Sequence, residues 1–297
     1  MQVTWLPDVQ RRPRRLAVGE FDGVHLGHRE VISGADTVLT FEPHPREVVA
    51  PGAAPRLLTP LGRKAELLEG LGVREMVVIA FDRAFAARSP EDFVSSVLVD
   101  ALGATHVSVG ENFRFGHKAS GTPELLEADP RFETRVVRLV EASEEIVSSS
   151  HIRGLVLAGE VAEAAELLGA PFQLRGPVVQ GDERGRTLGY PTANLVPDER
   201  YVYPAHGIYA CRAEVPGEGS WTAATSVGVR PTFTTGRGVL VEAYLLDFAG
   251  DLYDRELRLD FLARLRGERR FDSVEALVAQ MARDVEAARR AATLSRP

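Results

Sequence analysis

Leu16-Ala17-Val18 runs into Gly19-Glu20-Phe21-Asp22-Gly23-Val24-His25-Leu26-Gly27-His28, and the reading of this stretch decides the fold of the first half of the chain. The apolar triplet reads as a strand, and Arg29-Glu30-Val31-Ile32 beyond it reads as a short helical segment. Glycines at 19, 23 and 27 let the backbone turn sharply and approach a ligand closely. His25 and His28, three apart at a helix entry, can point at one spot. Amide N–H groups at a helix start attract anions, and two imidazoles add donors there. Strand, glycine turn and helix together describe a phosphate site in a parallel α/β sheet.

The surrounding pattern agrees. Strand-like segments Leu16–Val18, Thr37–Phe41, Met76–Phe81, His106–Val109 and Arg135–Leu139 alternate with helix-like ones, which is the signature of a parallel sheet with crossover helices. Thr59-Pro60 and Ser89-Pro90 each offer an N-cap followed by proline at the first helical position. Chemically suggestive residues follow the strand ends, where such folds bind ligands: His25 and His28 after the first, His44 and Pro45 after the second, Asn112 after the fourth. A helix is expected over Ile152–Leu168, closed by Gly169. After Pro171 the period changes to two: Glu256-Leu257-Arg258-Leu259-Asp260-Phe261 alternates without exception. Several such segments predict a small antiparallel barrel. A last helix opens near Asp272-Ser273-Val274-Glu275, with Val274, Leu277, Val278, Met281 and Val285 expected on the barrel. The expected division is at residue 170, giving domains 1–170 and 171–297.

With 297 residues and 44% apolar content the chain can bury two cores. A formal charge of −7 argues against a dominant nucleic-acid surface. The Arg11-Arg12-Pro13-Arg14-Arg15 run reads as a solvated connector. Cys211 stands alone, so no intrachain disulfide or thiolate metal site is available. No apolar run reaches the ~18 residues of a membrane span, and the expectation is a soluble, cytoplasmic protein with small-molecule substrates. Sequence leaves a homo-oligomer open.

GEFDGVHLGH resembles the signature of nucleotidylyltransferases, and its Phe-Asp-Gly form is similar to that of the bacterial bifunctional riboflavin kinase/FAD synthetases. Thr40-Phe41-Glu42-Pro43-His44-Pro45 resembles the TFxPHP of that family, Gly110-Glu111-Asn112-Phe113-Arg114-Phe115-Gly116 its GxNFxFG, and Ser148-Ser149-Ser150-His151-Ile152-Arg153 its ISSTxIR. The resemblance implies a Rossmann-like α/β FMN adenylyltransferase. In it Gly19, Phe21, Asp22, Gly23, Asn112, Ser148, Ser149, Ser150 and Arg153 would serve ATP, His25 and His28 the reacting phosphate, and His44, Pro45 and Phe113 the flavin. One departure stands out. Only Arg29 to Asp36 separates His28 from the next strand, so the crossover helix is expected to shrink to Glu30–Gly34 and adenylyl transfer to weaken.

Gly176 to Leu195, GPVVQGDERGRTLGYPTANL, closely resembles the riboflavin kinase signature. By that resemblance the second half is a six-stranded barrel with a C-terminal helix. Gly181, Gly185, Arg186, Gly189, Pro191, Thr192 and Asn194 would hold ATP, and Thr192 and Asn194 also Mg2+, as hard oxygen donors suit. Glu242, within Val239-Leu240-Val241-Glu242-Ala243-Tyr244, would be the general base, and Arg266 would lie by the flavin. The resemblance implies conversion of riboflavin to FMN and of FMN to FAD, each with ATP. Two alternatives remain at this point: a riboflavin kinase whose first domain is disabled, and a non-catalytic flavin-binding protein.

Overall fold

The computed structural model describes residues 1–142, 145–181, 188–230 and 238–294. The chain divides into two compact units, Met1–Ser149 and Ser150–Pro297.

In the first unit six strands lie in one sheet: β1 Gln2–Trp5, β2 Arg14–Val18, β3 Thr37–Glu42, β4 Glu75–Ala80, β5 Ala104–Gly110 and β6 Glu133–Val137. Their spatial order is β1-β4-β3-β2-β5-β6, every pair parallel. β1 was not legible, because its four residues are half-exposed at the sheet edge and carry no apolar run. Successive residues of the central strands feed two cores. Leu16, Val18, Leu39 and Val77 join one face, while Ala17, Val38, Met76 and Val78 join the other with Phe21, Val24 and Ile32. Both faces are covered, as a parallel sheet requires. The chain leaves β2 toward β3 on one side, and β5 returns on the other. The order therefore reverses beside β2, and ligands of open α/β sheets bind at the carboxyl ends of strands at such a point.

Helix α1 is Leu26–Ile32, starting and ending earlier than the expected Glu30–Gly34. His25 caps it, and Ser33 N–H closes it on the carbonyls of Arg29 and Glu30. It is short, yet the crossover is complete. The turn itself, residues 19 to 36 with the helix inside it, supplies the dozen or more residues a parallel connection needs. Val31 and Ile32 are buried beneath it. The remaining helices are α2 Pro45–Val49, α3 Leu61–Gly70, α4 Arg83–Ala86, α5 Pro90–Asp92, which runs on as a π-helix over Phe93–Ala101, and α6 Pro123–Glu127. Ser89 caps α5 as expected. Thr59 does not cap α3; its hydroxyl is committed elsewhere. Strands β7 Glu141–Ala142 and β8 Glu145–Ile146 form a small antiparallel pair.

The arginine run is not a solvated connector throughout. Arg14 is 2% exposed, and its guanidinium meets both carboxylate oxygens of Glu75 and the Leu102 carbonyl at 2.8 Å. Arg12 joins the same carboxylate at 2.7 Å. Burial raises the Glu75 pKa, but the hydrogen bond and charge of Arg14, helped by Arg12, outweigh it and hold it below the usual value. A carboxyl depressed on folding stabilises above its unfolded pKa, and that contribution disappears as pH falls through the lower folded value. Glu75→Gln is therefore expected to cost about 3–5 kcal/mol at neutral pH, because it strands a buried guanidinium. Urea unfolding at pH 7 and at pH 3 checks this: the gap between variant and parent narrows in acid.

The second unit begins with two helices where one was expected. α7 is Ser149–Ala158 and α8 is Val161–Leu168, with Gly159 between them at φ +87°. A Cβ at Gly159 would lie 2.8 Å from the Tyr209 hydroxyl, so the break is where the connection presses on the barrel. Arg264 fixes it there by donating to the Ala158 carbonyl at 3.1 Å. Gly169 ends α8 in the left-handed conformation.

Six strands then close a barrel in the order β10-β13-β12-β11-β14-β9, all neighbours antiparallel. They are β9 Phe172–Val179, β10 Ala193–Leu195, β11 Gly207–Val215, β12 Gly219–Arg230, β13 Gly238–Leu245 and β14 Glu256–Arg266. Tyr209, Cys211, Ala213, Val227, Val241, Ala243, Leu257, Leu259 and Phe261 are all fully buried. α9, Val274–Leu294, packs on β11, β12 and β14. Ser273 caps it by accepting from Ala276 N–H at 3.1 Å. Of the expected stripe, Val274 is 56% exposed; the buried positions are Asp284 and Ala288.

Candidate functional site

The turn after β2 is built from backbone that L residues avoid. Phe21, Gly23 and Val24 have φ of +50°, +88° and +45°. A bulky and a β-branched residue in that region are strained and persist only where the surroundings over-determine them. Here they do. The Asp22 carboxylate, 4% exposed, accepts from Leu58 N–H at 2.8 Å and from the N–H and hydroxyl of Thr59 at 3.0 and 3.2 Å. The Thr59 hydroxyl in turn accepts from Gly23 N–H at 2.8 Å. Ser149 donates to the Asp22 carbonyl at 2.9 Å. The Asp22 carboxylate thus holds the turn that carries the two histidines.

Fixed in this way, the turn delivers the two histidines. His25 Nδ1 accepts from His28 N–H at 3.3 Å. That acceptor role places the proton of the neutral His25 ring on Nε2. The two rings stack with centroids 3.6 Å apart, and Phe21 meets His28 edge-on at 5.3 Å. Gly27 permits the stack, since a Cβ there would lie 3.3 Å from the His25 ring. Burial, then the charges of His25 and Lys64, hold the His28 pKa well below its ordinary value. His28 is therefore a neutral donor at pH 7, and its Nδ1 makes no hydrogen bond among the described residues.

Around this turn, His44 is buried and caps α2 by accepting from Arg46 N–H at 3.1 Å, while its Nε2 pairs with Glu20. Pro45 opens α2. Asn112 is exposed in the turn after β5, and Phe113 stacks on Phe115 with centroids 5.5 Å apart. Ser148 and Ser149 precede or open α7, and Ser150 and Arg153, in the second unit, meet at 3.3 Å.

The second candidate site is set by strand register. Asn194 of β10 lies opposite Glu242 of β13, and Glu242 lies opposite Ser226 of β12. Directly opposed residues share a face, with Cβ atoms about 4.5–5.5 Å apart. Val241 and Ala243, the neighbours of Glu242, are buried in the barrel, so Glu242 faces outward beside Asn194. It is not on an open edge, because β10 and β12 flank it. Asn194 is nonetheless only 6% exposed, for the chain at Gly181 passes over it: a Cβ there would lie 2.3 Å from Asn194 Nδ2. Tyr190 packs edge-on against Tyr244 at 5.2 Å, which anchors the start of Pro191-Thr192-Ala193-Asn194 to the same face. Gly189 has φ +85° in the turn before it. Gly185 and Arg186 lie outside the described residues, as do Pro231, Thr232 and Phe233. Arg266 forks onto Asp284 at 2.6 and 3.0 Å and sits 5.9 Å from the Phe271 ring.

The comparisons bear on both halves. Residues 8–151 match the FAD synthetase family and residues 168–292 the riboflavin kinase family. A Listeria monocytogenes protein named bifunctional riboflavin kinase/FMN adenylyltransferase is 39% identical over 91% of this chain and 89% of its own. The Escherichia coli K12 protein of the same name is 38% identical over 95% and 94%. The chain belongs to the bifunctional riboflavin kinase/FMN adenylyltransferase family. A crystal structure of a protein described as a macrolide-efflux protein from Streptococcus pneumoniae has the same fold as this family member, with a TM-score of 0.88 and 32% identity over 97% and 99% of the two chains. Among the described residues no helix is long and apolar enough to cross a membrane.

Residues of the adenylyltransferase half that sequence reasoning missed are Lys64, Leu58 and Thr59. A signal was present for Lys64: it interrupts the inward stripe of Leu61, Ala65 and Leu68, where a lysine is costly without a task. In the kinase half Ser226 was missed, because only the register reveals it.

Proposed function

We propose that this protein makes FMN from riboflavin and ATP in its barrel, and FAD from FMN and ATP at the parallel-sheet unit, releasing pyrophosphate. We assign the activities to residues 171–297 and 1–170; the family match of the first half ends at residue 151, that of the second begins at 168, and the compact units divide after Ser149. The observation that carries the kinase reading is the register of Asn194 against Glu242. Glu242 takes the proton of the ribityl 5′-hydroxyl as that oxygen attacks the γ-phosphorus and ADP leaves with the bridging oxygen, and Asn194 and Thr192 orient the triphosphate beside it.

Among the described residues no cluster of three or more His, Cys, Asp or Glu side chains forms a metal site. The neutral oxygens of Thr192 and Asn194, beside a close-packed Gly181, fit a Mg2+ ion that takes its other ligands from phosphates and water. When bound there it would neutralise phosphate charge. Gly181, Gly189 and Pro191 border the nucleotide, and Gly185 and Arg186, which lie outside the described residues, are assigned to ATP by the same motif.

At the adenylyltransferase site the FMN phosphate oxygen attacks the α-phosphorus of ATP. No protein nucleophile is needed; the site positions the groups and stabilises charge. His25 and His28 donate to the α-phosphate as charge develops, and Gly19, Phe21 and Gly23 shape the turn beneath it. Asn112, Ser148, Ser149, Ser150 and Arg153 serve the nucleotide, and His44, Pro45, Phe113 and, in the kinase, Arg266 border flavin. The acidic balance of the chain and its single cysteine support small-molecule chemistry in the cytoplasm without a nucleic-acid partner.

The test is a time course with riboflavin, ATP and Mg2+, products separated. The parent protein yields FMN and then FAD. His28→Ala is expected to accumulate FMN, with FAD formation down by about 10²–10³-fold for one lost donor. Loss of both products in this variant would argue against two separate sites.

A further inference from the structure

The strained turn after β2 needs a support that α1, at seven residues, does not itself provide. The structure supplies it from α3, whose Leu61, Ala65 and Leu68 share a core with Val31 and Ile32 of α1. Lys64, on α3, is 6% exposed, and its ammonium donates to the Glu20 carbonyl at 2.6 Å and to the Thr40 hydroxyl at 3.3 Å. The Thr40 hydroxyl passes its own proton to the same Glu20 carbonyl at 3.1 Å. Lys64, Thr40 and Glu20 thus form a closed triangle that ties the first residues of the turn to the carboxyl end of β3.

We propose that Lys64 is a positioning residue of the adenylyltransferase site: its buried ammonium pins Glu20, and with it the turn that carries His25 and His28, onto Thr40. This rests on the reading of that site as the FMN-adenylating one. An ammonium so placed does two things. It converts a carbonyl at the mouth of the turn from a mobile acceptor into a fixed point, so the left-handed residues Phe21 to Val24 start from one position. Its charge also opposes protonation of His28. Burial pulls the Lys64 pKa down and prevails, while the charges of Asp22, Glu42 and Glu20 raise it and offset part of that effect; His28 and His25 are the titratable rings nearby.

Charge and geometry can be separated by experiment. Lys64→Met keeps the stem in the apolar stripe of α3 and removes the cation; Thr40→Val removes only the hydroxyl. Each variant is assayed for FAD from FMN and for FMN from riboflavin, and its histidine rings are followed through a pH titration by NMR. For Lys64→Met the expected result is a kcat for FAD formation lower by roughly 10- to 100-fold, as misplacement of reacting groups costs. FMN formation stays at the parent level, and the His28 midpoint moves up in pH. Thr40→Val is expected to lose a few-fold of FAD formation, about what one neutral hydrogen bond is worth, with the His28 midpoint unmoved. If Lys64→Met does not fold, Thr40→Val decides alone by that same loss. A Lys64→Met protein that folds and makes FAD at the parent rate overturns the proposal, wherever its His28 midpoint lies. A parent protein that makes no FAD while its His28 ring still titrates abnormally low, and rises in Lys64→Met, refutes instead the adenylylating reading and leaves the electrostatic link standing.

Discussion

Glu242→Gln is expected to lower FMN formation by about 10²–10⁴-fold, the usual worth of a positioned general base, while the same protein still converts added FMN and ATP to FAD. The substitution keeps the side-chain volume and a hydrogen-bonding oxygen, so the outer face of β13 between Asn194 and Ser226 retains its packing. What disappears is the capacity to hold a proton as the ribityl oxygen attacks. Because loss of the base removes an interaction made in the transition state, kcat falls while KM for ATP and riboflavin changes little. Steady-state assays of the two half-reactions, run separately, check it. A variant that keeps parental FMN synthesis would show that Glu242 holds a structural position only.

Asp22→Ala is expected to abolish FAD formation and to destabilise the first unit by about 3–5 kcal/mol, while FMN formation survives. Among the described residues the carboxylate accepts from the N–H of buried Leu58 and of half-buried Thr59, and both groups would lose that acceptor. Each hydrogen bond to a charged acceptor is worth ~1.5–3 kcal/mol. The turn also loses what opposes its own strain, since the left-handed residues flank Asp22 on both sides. Trp5 lies in the first unit and Trp221 in the second. Replacing Trp221 by Phe in both backgrounds leaves Trp5 as the reporter, and urea unfolding then reads the first unit. An unchanged midpoint would mean that Thr59 and Ser149 suffice to hold the turn.

The parts of this molecule that were legible in its sequence are those where a local pattern dictates a local structure. The central parallel strands carry short apolar runs, Leu16-Ala17-Val18 in β2 and Met76 to Ala80 in β4, and the barrel strands alternate with period two. Both periods survive folding because both are enforced by burial. What escaped was set by tertiary contact. Gly159 looks like an ordinary helical glycine until Tyr209 and Arg264 are placed against it. Thr59-Pro60 has the look of a helix cap, but a better acceptor, Asp22, takes the hydroxyl proton from a distant part of the chain. Arg14 belongs to a basic run in the sequence and to a buried ion pair in space. The sites divide in the same way. Glycines, histidines and the Pro-Thr-Ala-Asn segment mark chemistry by residue type. The partners that hold them, Lys64, Leu58, Thr59 and Ser226, are ordinary residues whose meaning comes from strand order and register.

The clasp on the β2 turn has a consequence for how this protein comes into being. The turn leaves the ribosome ahead of Leu58, Thr59 and Lys64, which emerge some forty residues later. Until they do, the left-handed backbone of Phe21 and Val24 has nothing to compensate it, and the nascent segment is free to sample extended or helical forms. The histidines are therefore synthesised early and become competent late, in one step with the docking of α3. A polypeptide released at residue 56 would hold every residue of the signature stretch and none of its geometry.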